Sequence, residues 1–348
     1  MTNGLSGRFL HAVRTLAPGY GALVMATGIV SVGMELAGLR TLSDLLLWLS
    51  VGMFVLLLTL TAWRVIAYRR DVMVDFADPR RAFGFLTFVA GLDVIVVRLA
   101  LRGDHQLAIV LFVVTGACGL VLSYVTPWTA VLGHARRPIL ASANGTWFVW
   151  VVASQSVSVA AATLQPDSEN SRAVLALVAI VAWSVGLFLY GAAGVFVAMR
   201  MMQYRLRPED LTASYWVAMG ACAITVLAGT RIVVMVATPM VDATRSLVAG
   251  ISVVFWAFAT WLIPVLGAET WWRHRHHRVP LRYDQNLWSM VFPLGMYGVC
   301  AVDLGEADHL PLVRQIGDVE SWFALAVFVV VFIAMCHHLY RTVLAAPR

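Results

Sequence analysis

Charge is scarce in this sequence. Only 13% of its 348 residues are Asp, Glu, Lys or Arg, against roughly 25% in a typical soluble domain. Hydrophobic residues make up 60% of the chain, and the mean hydropathy is +0.80. Lysine is absent, so all 25 basic residues are arginine, and with 19 acidic residues the net charge is +6. This composition excludes an ordinary soluble protein and indicates that a lipid bilayer surrounds the chain.

Cysteine pairs and catalytic signatures are also missing. Cys118, Cys222, Cys300 and Cys336 each stand alone in an apolar run, which excludes a disulfide framework and a zinc site. The sequence has no phosphate-binding Walker A loop, no glycine-rich dinucleotide loop and no nucleophile elbow. We therefore expect no enzyme, no ATP-driven pump, and no metal or other cofactor. The arginine excess does not by itself indicate a nucleic-acid partner, and we expect none. Which partner the positive charge favours depends on where the arginines lie.

The sequence does contain ten long apolar segments. A transmembrane helix needs about 20 apolar residues, each rising 1.5 Å, to cross a hydrocarbon core of roughly 30 Å. Segments of this length lie near residues 17–38, 42–64, 82–101, 106–126, 144–164, 173–198, 213–236, 246–267, 286–304 and 319–340. We predict an all-α integral membrane protein in which residues 1–348 form a single transmembrane domain.

Arginine alternates between rich and poor loops along the ten segments. With the N-terminus in the cytoplasm, 18 of the 25 arginines lie on the cytoplasmic side: Arg8, Arg14, Arg64, Arg69, Arg70, Arg80, Arg81, Arg136, Arg137, Arg200, Arg205, Arg207, Arg273, Arg275, Arg278, Arg282, Arg341 and Arg348. Cytoplasmic loops carry an excess of basic residues. We therefore predict a multi-pass protein of the cell inner (plasma) membrane with both termini in the cytoplasm.

The odd-numbered spans share a pattern that the even-numbered spans lack. Each has an aromatic residue near its predicted cytoplasmic start, followed six to eight positions later by a cluster of mostly small residues. These aromatic residues are Tyr20, Phe83, Trp147, Tyr215 and Trp288. Small residues line cavities or permit close helix packing, whereas uniformly apolar helices face lipid. We predict five helical hairpins with the odd helices in an inner ring around a central pore; close packing alone is the alternative explanation.

Four charged residues lie at one depth in this repeat. Glu35, Arg98 and Asp303 each follow their aromatic residue by fifteen positions, and Arg231 follows its own by sixteen. At 1.5 Å per residue they lie about 22 to 24 Å from the cytoplasmic start. We interpret them as a ring of two acids and two arginines at the external mouth, where Arg98 and Arg231 would contact a passing anion. Alternatively, each marks a helix end where a long side chain reaches the headgroups.

Two further features lie deeper in the spans. Asp93 follows Phe83 by only ten positions, and a carboxyl at that depth is a proton relay, a partner for an arginine, or a buried group that is neutral or satisfied by its neighbours. Pro293 falls well inside the ninth span, where proline removes a backbone hydrogen bond and kinks a helix. A kink there would direct Phe292 away from its straight-helix position, and an apolar side chain in a wet pore can close it.

Several segments resemble one family of membrane proteins. The opening helix, PGYGALVMATGIVS at residues 18–31, is similar to that of the tellurite-resistance/dicarboxylate transporter family, which includes plant slow anion channels and fungal malate and sulfite transporters. Similarity extends over nearly the whole chain, through residues 88–91 (FVAG), 228–231 (AGTR) and 292–295 (FPLG), and it is most specific in the first and ninth helices. The resemblance implies ten helices as five hairpins around a pore, usually in a homotrimer, that carries small inorganic or organic anions.

The resemblance also assigns roles to two residues. A phenylalanine blocks the pore of the family's channels, and the matching motif implies that Phe292, beside Pro293, is this gate. The family's pores are largely uncharged, so Asp93 departs from the pattern if it faces the lumen. Our first hypothesis is a gated anion channel or exporter. The alternative is a proton-coupled carrier for C4-dicarboxylates such as malate or succinate, with Asp93 as the titrating group. A membrane enzyme or a sensor is disfavoured by the missing catalytic residues.

Overall fold

The computed structural model describes residues 5–133 and 138–344, which include twelve α-helices and no strand. The helices are α1 Leu5–Arg14, α2 Gly21–Leu36, α3 Arg40–Ala67, α4 Arg69–Ala77, α5 Thr87–Arg102, α6 His105–Pro127, α7 Phe148–Leu164, α8 Arg172–Gln203, α9 Val217–Val233, α10 Pro239–Trp271, α11 Trp288–Ala307 and α12 Pro311–Leu339. The loop arginines Arg136 and Arg137 and the terminal Arg348 lie outside the described residues.

Ten helical segments of the described chain are long and apolar enough to cross a membrane, which confirms the predicted all-α fold with ten spans. The largest boundary differences concern two even-numbered spans. The eighth was predicted over 246–267 but its helix begins at Pro239 and ends at Trp271, and the tenth was predicted from 319 but begins at Pro311. Charged residues such as Asp242 and Arg314 end the apolar window without ending the helix. The two helices have 33 and 29 residues, more than the roughly 20 that a hydrocarbon core requires.

Burial divides the ten spans into two groups. In the odd-numbered spans, which contain α2, α5, α7, α9 and α11, 78–89% of the residues in the most apolar 18-residue window are buried inside the protein. In the even-numbered spans, which contain α3, α6, α8, α10 and α12, only 17–33% are buried. We call the first group the inner helices and the second group the outer helices. The outer helices present their apolar side chains to the surroundings, as expected of helices in contact with lipid.

The inner helices pack in chain order. Contacts join α2 to α5, α5 to α7, α7 to α9 and α9 to α11, and α11 returns to pack against α2. Each outer helix packs against the inner helix that precedes it in sequence. Glycine permits two of the close approaches: a methyl group at Gly28 of α2 would lie 2.6 Å from Val94, and one at Gly220 of α9 would lie 2.8 Å from Pro293. Small residues in the inner helices therefore bring neighbouring backbones together.

Each inner helix is preceded directly by a short 3₁₀ turn. The turns are Pro18–Tyr20, Ala82–Leu86, Gly145–Trp147, Ala213–Trp216 and Gln285–Leu287, and they contact one another in the same order as the helices. All five inner helices therefore begin at one end of the bundle, which we call the near end. The opposite end is the far end. These turns were not predicted from the sequence.

Hydroxyl groups join inner helices to their outer partners. The Ser31 hydroxyl of α2 donates to the Ser43 carbonyl of α3 at 2.7 Å, and the Ser43 hydroxyl donates back to the Ser31 carbonyl at 2.7 Å. The Ser158 hydroxyl of α7 donates to the Ala179 carbonyl of α8 at 2.7 Å. Such bonds fix one helix against another where no water competes.

Candidate functional site

A small cavity lies among the five inner helices. Its volume is about 20 Å³, which accommodates roughly one water molecule. Every inner helix contributes to its wall, and the lining residues are Ile29 and Val32 of α2, Asp93, Val94 and Val97 of α5, Ser156 and Val159 of α7, Ile224, Leu227 and Arg231 of α9, and Met296 and Val299 of α11. The wall is apolar except for Asp93, Ser156 and Arg231. We call this space the central cavity.

Asp93 is fully buried at the wall of the central cavity. Its Oδ2 accepts a hydrogen bond of 2.6 Å from the Ser156 hydroxyl of α7, which also lies 2.9 Å from the Ala153 carbonyl. Its Oδ1 accepts no hydrogen bond from any described residue. The hydroxyl of Thr115 is also near the carboxyl but donates to the Val89 carbonyl at 3.2 Å. Asp93 is therefore a buried carboxyl that has one hydroxyl donor and no cation within ion-pair distance among the described residues.

Arg231 reaches the same cavity from α9 but has an acidic partner. Its Nε lies 2.6 Å from Oδ2 of Asp303 on α11. The Arg231 side chain is 19% exposed and that of Asp303 is 9% exposed, so the pair is mostly removed from solvent. The positive charge that faces the central cavity is thus held in place by an ion pair between two inner helices.

Arg98 is more completely buried than Arg231, belongs to a separate hydrogen-bond network and is not among the residues that line the cavity. Its guanidinium donates to Oε2 of Glu35 at 2.9 Å, to Oδ1 of Asp44 at 3.0 Å and to the Ser43 hydroxyl at 2.8 Å. Only 2% of the Arg98 side chain is exposed. The network joins α5 to α2 and α3, so the four charges at the shared depth form two ion pairs, Glu35 with Arg98 and Asp303 with Arg231.

Phe292 lies in α11 one helical turn before Met296, which lines the central cavity. Its side chain is 1% exposed. The helix continues through Pro293, whose missing N–H leaves the Ser289 carbonyl without its usual helical donor. The ring of Pro293 packs against Gly220 of α9. Phe292 is therefore held toward the near end of the cavity, on a helix that packs tightly against its neighbour.

Sequence reasoning missed a buried charge cluster at the near end. Asp75 of α4 is 2% exposed; its Oδ2 lies 2.7 Å from Arg64 Nη1 and its Oδ1 lies 2.9 Å from Arg81 Nη1. Arg64 also donates from Nε to the Arg14 carbonyl at 2.9 Å. The density of charge in residues 69–81 is the only sequence signal for this cluster, since the burial comes from α4 packing against α3 and the turn at Ala82–Leu86.

No group of three or more His, Cys, Asp or Glu side chains is placed to hold a metal ion in the described part of the chain. The cysteines are all free thiols. The polar chemistry of the central cavity is thus that of one carboxyl, one hydroxyl and one paired guanidinium. Such a set can bind and release a small anion through hydrogen bonds and charge.

The sequence profile of the SLAC1 family, described as voltage-dependent anion channels, matches residues 15–336. The chain belongs to this family. The match includes all five inner helices and the central cavity. The SLAC1 family is one of membrane anion transport, and this chain is a multi-pass membrane protein of that family.

Individual relatives of this SLAC1-family chain cover different parts of it. An uncharacterised membrane protein of Mycobacterium tuberculosis is 60% identical over 157 residues, which is 45% of this chain and 80% of that protein. An uncharacterised transporter of Methanocaldococcus jannaschii is 22% identical over 92% of this chain and 93% of its own length. A sulfite efflux pump of Arthroderma benhamiae is 22% identical over 92% of this chain and 90% of its own length.

Proposed function

We propose that small anions cross the membrane along the axis of the five inner helices, through the central cavity. The observation that carries this proposal is the lining of the cavity, to which all five inner helices contribute. Because the outer helices are mostly exposed and apolar, the inner helices offer the polar groups that an anion needs. A cavity of about 20 Å³ is too narrow for continuous permeation, so this structure corresponds to a closed path.

Phe292 is the proposed gate. It is buried one turn from the cavity on α11, and Pro293 beside it locally frees the helix from one backbone hydrogen bond. A bulky apolar side chain at a constriction excludes water and therefore ions. Rotation or displacement of Phe292 would widen the path toward the near end.

Selectivity for anions is proposed to come from Arg231 and from the arginines of the near-end loops. Among the described residues that line the cavity, Arg231 is the one cation, and its pairing with Asp303 leaves the side chain 19% exposed. Arg98 and Glu35 are proposed to brace the far end of the path, because the Arg98 guanidinium already binds Glu35, Asp44 and Ser43. Positive potential along a path raises the local concentration of anions.

The test is the current carried by purified protein in planar bilayers under a chloride gradient. We expect a current that reverses near the chloride equilibrium potential and increases in Phe292→Ala. The matched control is Phe112→Ala, which removes a buried phenyl ring from the outer helix α6 and should leave the current unchanged. Each substitution costs about 3–5 kcal/mol of folding free energy, so both variants are first checked for a monodisperse folded state. Unchanged current in folded Phe292→Ala would remove the gate assignment.

A proton-coupled carrier of C4-dicarboxylates such as malate or succinate is the second candidate. The observation that favours it is Asp93, because a carboxyl in the cavity wall could carry a proton across with the substrate. A dicarboxylate is far larger than the cavity, so this function requires a second, open conformation. Malate accumulation in liposomes only under a proton gradient, without current under a chloride gradient, would favour the carrier.

We also propose a homotrimer in the plasma membrane with both termini in the cytoplasm. The apolar exposed faces of the outer helices suit contact with neighbouring copies as well as lipid, and the distribution of arginine supports the orientation. Native mass spectrometry in detergent would give the number of protomers. Reporter fusions at each terminus would give the orientation, and a periplasmic signal from either one would contradict it.

A further inference from the structure

Asp93 lines the central cavity, and one oxygen of its carboxyl has no hydrogen-bond partner among the described residues. Ser156 binds Oδ2 of the carboxyl, whereas Oδ1 is buried and has no partner among the described residues. A buried polar atom without a partner is unusual in a folded protein. Because Asp93 is part of a wall to which all five inner helices contribute, its carboxyl is placed to interact with whatever occupies the cavity.

The surroundings of Asp93 provide no neutralising charge. On α5 itself the next ionisable residue is Arg98, which is bound to Glu35 and Asp44. The neighbouring outer helix α6 offers Thr115, and the neighbouring inner helix α7 offers Ser156.

The remaining walls of the cavity are largely apolar. The inner helix α2 contributes Ile29 and Val32, and α11 contributes Met296 and Val299. Across the cavity, α9 contributes Arg231, whose charge is bound to Asp303. An ionised Asp93 would therefore add one uncompensated negative charge to the wall of the path.

This arrangement gives the two protonation states opposite effects on an anion. An ionised carboxylate in a narrow, apolar cavity repels an anion strongly because little water screens the charges. A protonated carboxyl carries no charge and can donate its O–H from Oδ1, while Ser156 continues to donate to Oδ2. We propose that Asp93 is a proton-operated selectivity element, which binds a permeating monovalent anion through its O–H when protonated and excludes anions when ionised.

The inference rests on the proposed anion path but differs from proton-coupled transport. In a carrier the proton crosses the membrane with the substrate. In the arrangement proposed here the proton stays on Asp93 and sets how easily anions pass. The two therefore differ in what a pH gradient does to the reversal potential.

The experiment is the chloride current of Phe292→Ala, the variant chosen to open the path, recorded from about pH 5 to about pH 9 with equal pH on both sides. We expect the current to fall as pH rises, by about tenfold for each pH unit above the midpoint, since the protonated fraction falls by that factor. Adding Asp93→Asn should hold the current near its acidic level at every pH. The matched control is Glu320→Gln, which removes an acid from the outer helix α12 that does not line the cavity and should keep the pH dependence.

A second variant tests the inference independently, in case Asp93→Asn does not fold. Ser156→Ala removes the hydrogen-bond donor to Oδ2 of Asp93. The ionised carboxylate is then less stabilised, so the midpoint of the pH dependence of the current should move to higher pH. A pH-independent current in Phe292→Ala, or a pH dependence retained in folded Asp93→Asn, would overturn the inference while leaving the anion path in place.

The reversal potential separates the remaining outcomes. Under a transmembrane pH gradient it should stay at the chloride equilibrium potential, with only the size of the current altered. A shift with the pH gradient would mean that protons move with the anion and would replace this inference by the carrier. Absence of current at every pH in both the wild type and Phe292→Ala would instead refute the proposed anion path, and with it the role of Asp93 in that path.

Discussion

Asp75 and Asp93 are equally hidden from solvent but have opposite surroundings. Asp75, at the near end, is 2% exposed and lies between the guanidinium groups of Arg64 and Arg81. Asp93, in the wall of the central cavity, is fully buried and receives one hydrogen bond from Ser156. Two aspartate side chains of similar burial therefore differ in charge environment: Asp75 is neutralised by arginines, whereas Asp93 has no cation beside it among the described residues.

The difference separates structural charge from functional charge. A buried carboxylate between two arginines joins the elements that carry them, and removing one member leaves the others uncompensated. A buried carboxyl without a cation contributes nothing comparable to stability and persists where it serves a ligand or a proton. The comparison predicts that substitutions at the two aspartates will affect different properties.

The largest effect on stability is expected for Asp75→Asn. The amide keeps the size of the side chain but removes the negative charge, so the nearly buried guanidinium of Arg64 loses its counter-ion. We expect a loss of about 3–5 kcal/mol in the free energy of unfolding. Thermal or denaturant unfolding of the protein in detergent measures it. A loss below about 1 kcal/mol, the range of exposed pairs, would show that Asp75 is not the structural centre of this cluster.

A smaller loss is expected for Asp303→Asn. Arg231 loses its ion-pair partner, but its side chain is 19% exposed and can be partly hydrated, so we expect about 1–3 kcal/mol. The same change leaves an additional positive charge beside the central cavity, which should increase the chloride current. Both values come from one preparation, by unfolding and by bilayer recording. A stable variant with reduced current would mean that the positioning of Arg231 by Asp303 matters more to the anion than the neutralisation of its charge.

Depth along the helices could be predicted from the sequence, because the rise per residue is fixed. This is why Glu35 and Arg98, placed at one depth from their aromatic residues, form an ion pair in the structure, as do Arg231 and Asp303. The ten spans could be predicted for the same reason, because the fixed rise per residue sets the number of apolar residues that a membrane-spanning helix needs. The division into buried and exposed helices reflects the small residues of the odd-numbered spans.

The direction in which each side chain points could not be predicted. Four of the five aromatic residues lie in the 3₁₀ turn before an inner helix and not in the helix itself. Such a turn has 3.0 residues per turn instead of 3.6, so the rotation of those four helices is not given by counting from the aromatic residue. Ser156 was missed for this reason, since nothing distinguishes it in sequence from the other serines of α7. Asp75 was missed because its burial depends on the packing of α4.

Substitution of Asp93 should have little effect on stability. Asp93→Asn removes no ion pair, and the amide oxygen still accepts the hydrogen bond from Ser156, so we expect the free energy of unfolding to change by less than about 1 kcal/mol. Unfolding in detergent beside Asp75→Asn provides the direct comparison. A loss as large as that of Asp75→Asn would mean that Asp93 has an unrecognised cationic partner and would remove the contrast between the two aspartates.

The smallest effect is expected at Asp71, which is paired with Arg14 on the surface of the near end. The two side chains lie 2.6 Å apart but are 35% and 59% exposed, so water and salt screen the pair. The hydrogen bond from Arg14 lowers the pKa of the Asp71 carboxyl. Its contribution to stability is therefore present above the pKa of the unfolded chain and is lost as pH falls through the lower pKa of the folded protein.

Asp71→Asn should accordingly leave the unfolding midpoint within experimental error at neutral pH, and raising the salt concentration should erase any residual difference from the wild type. The variant is the control for Asp75→Asn, because both remove an aspartate of α4 that contacts an arginine and they differ chiefly in burial. If Asp71→Asn destabilised the protein as strongly as Asp75→Asn, loss of negative charge from α4 would be the common cause. Burial between two guanidinium groups would then no longer explain the effect at Asp75.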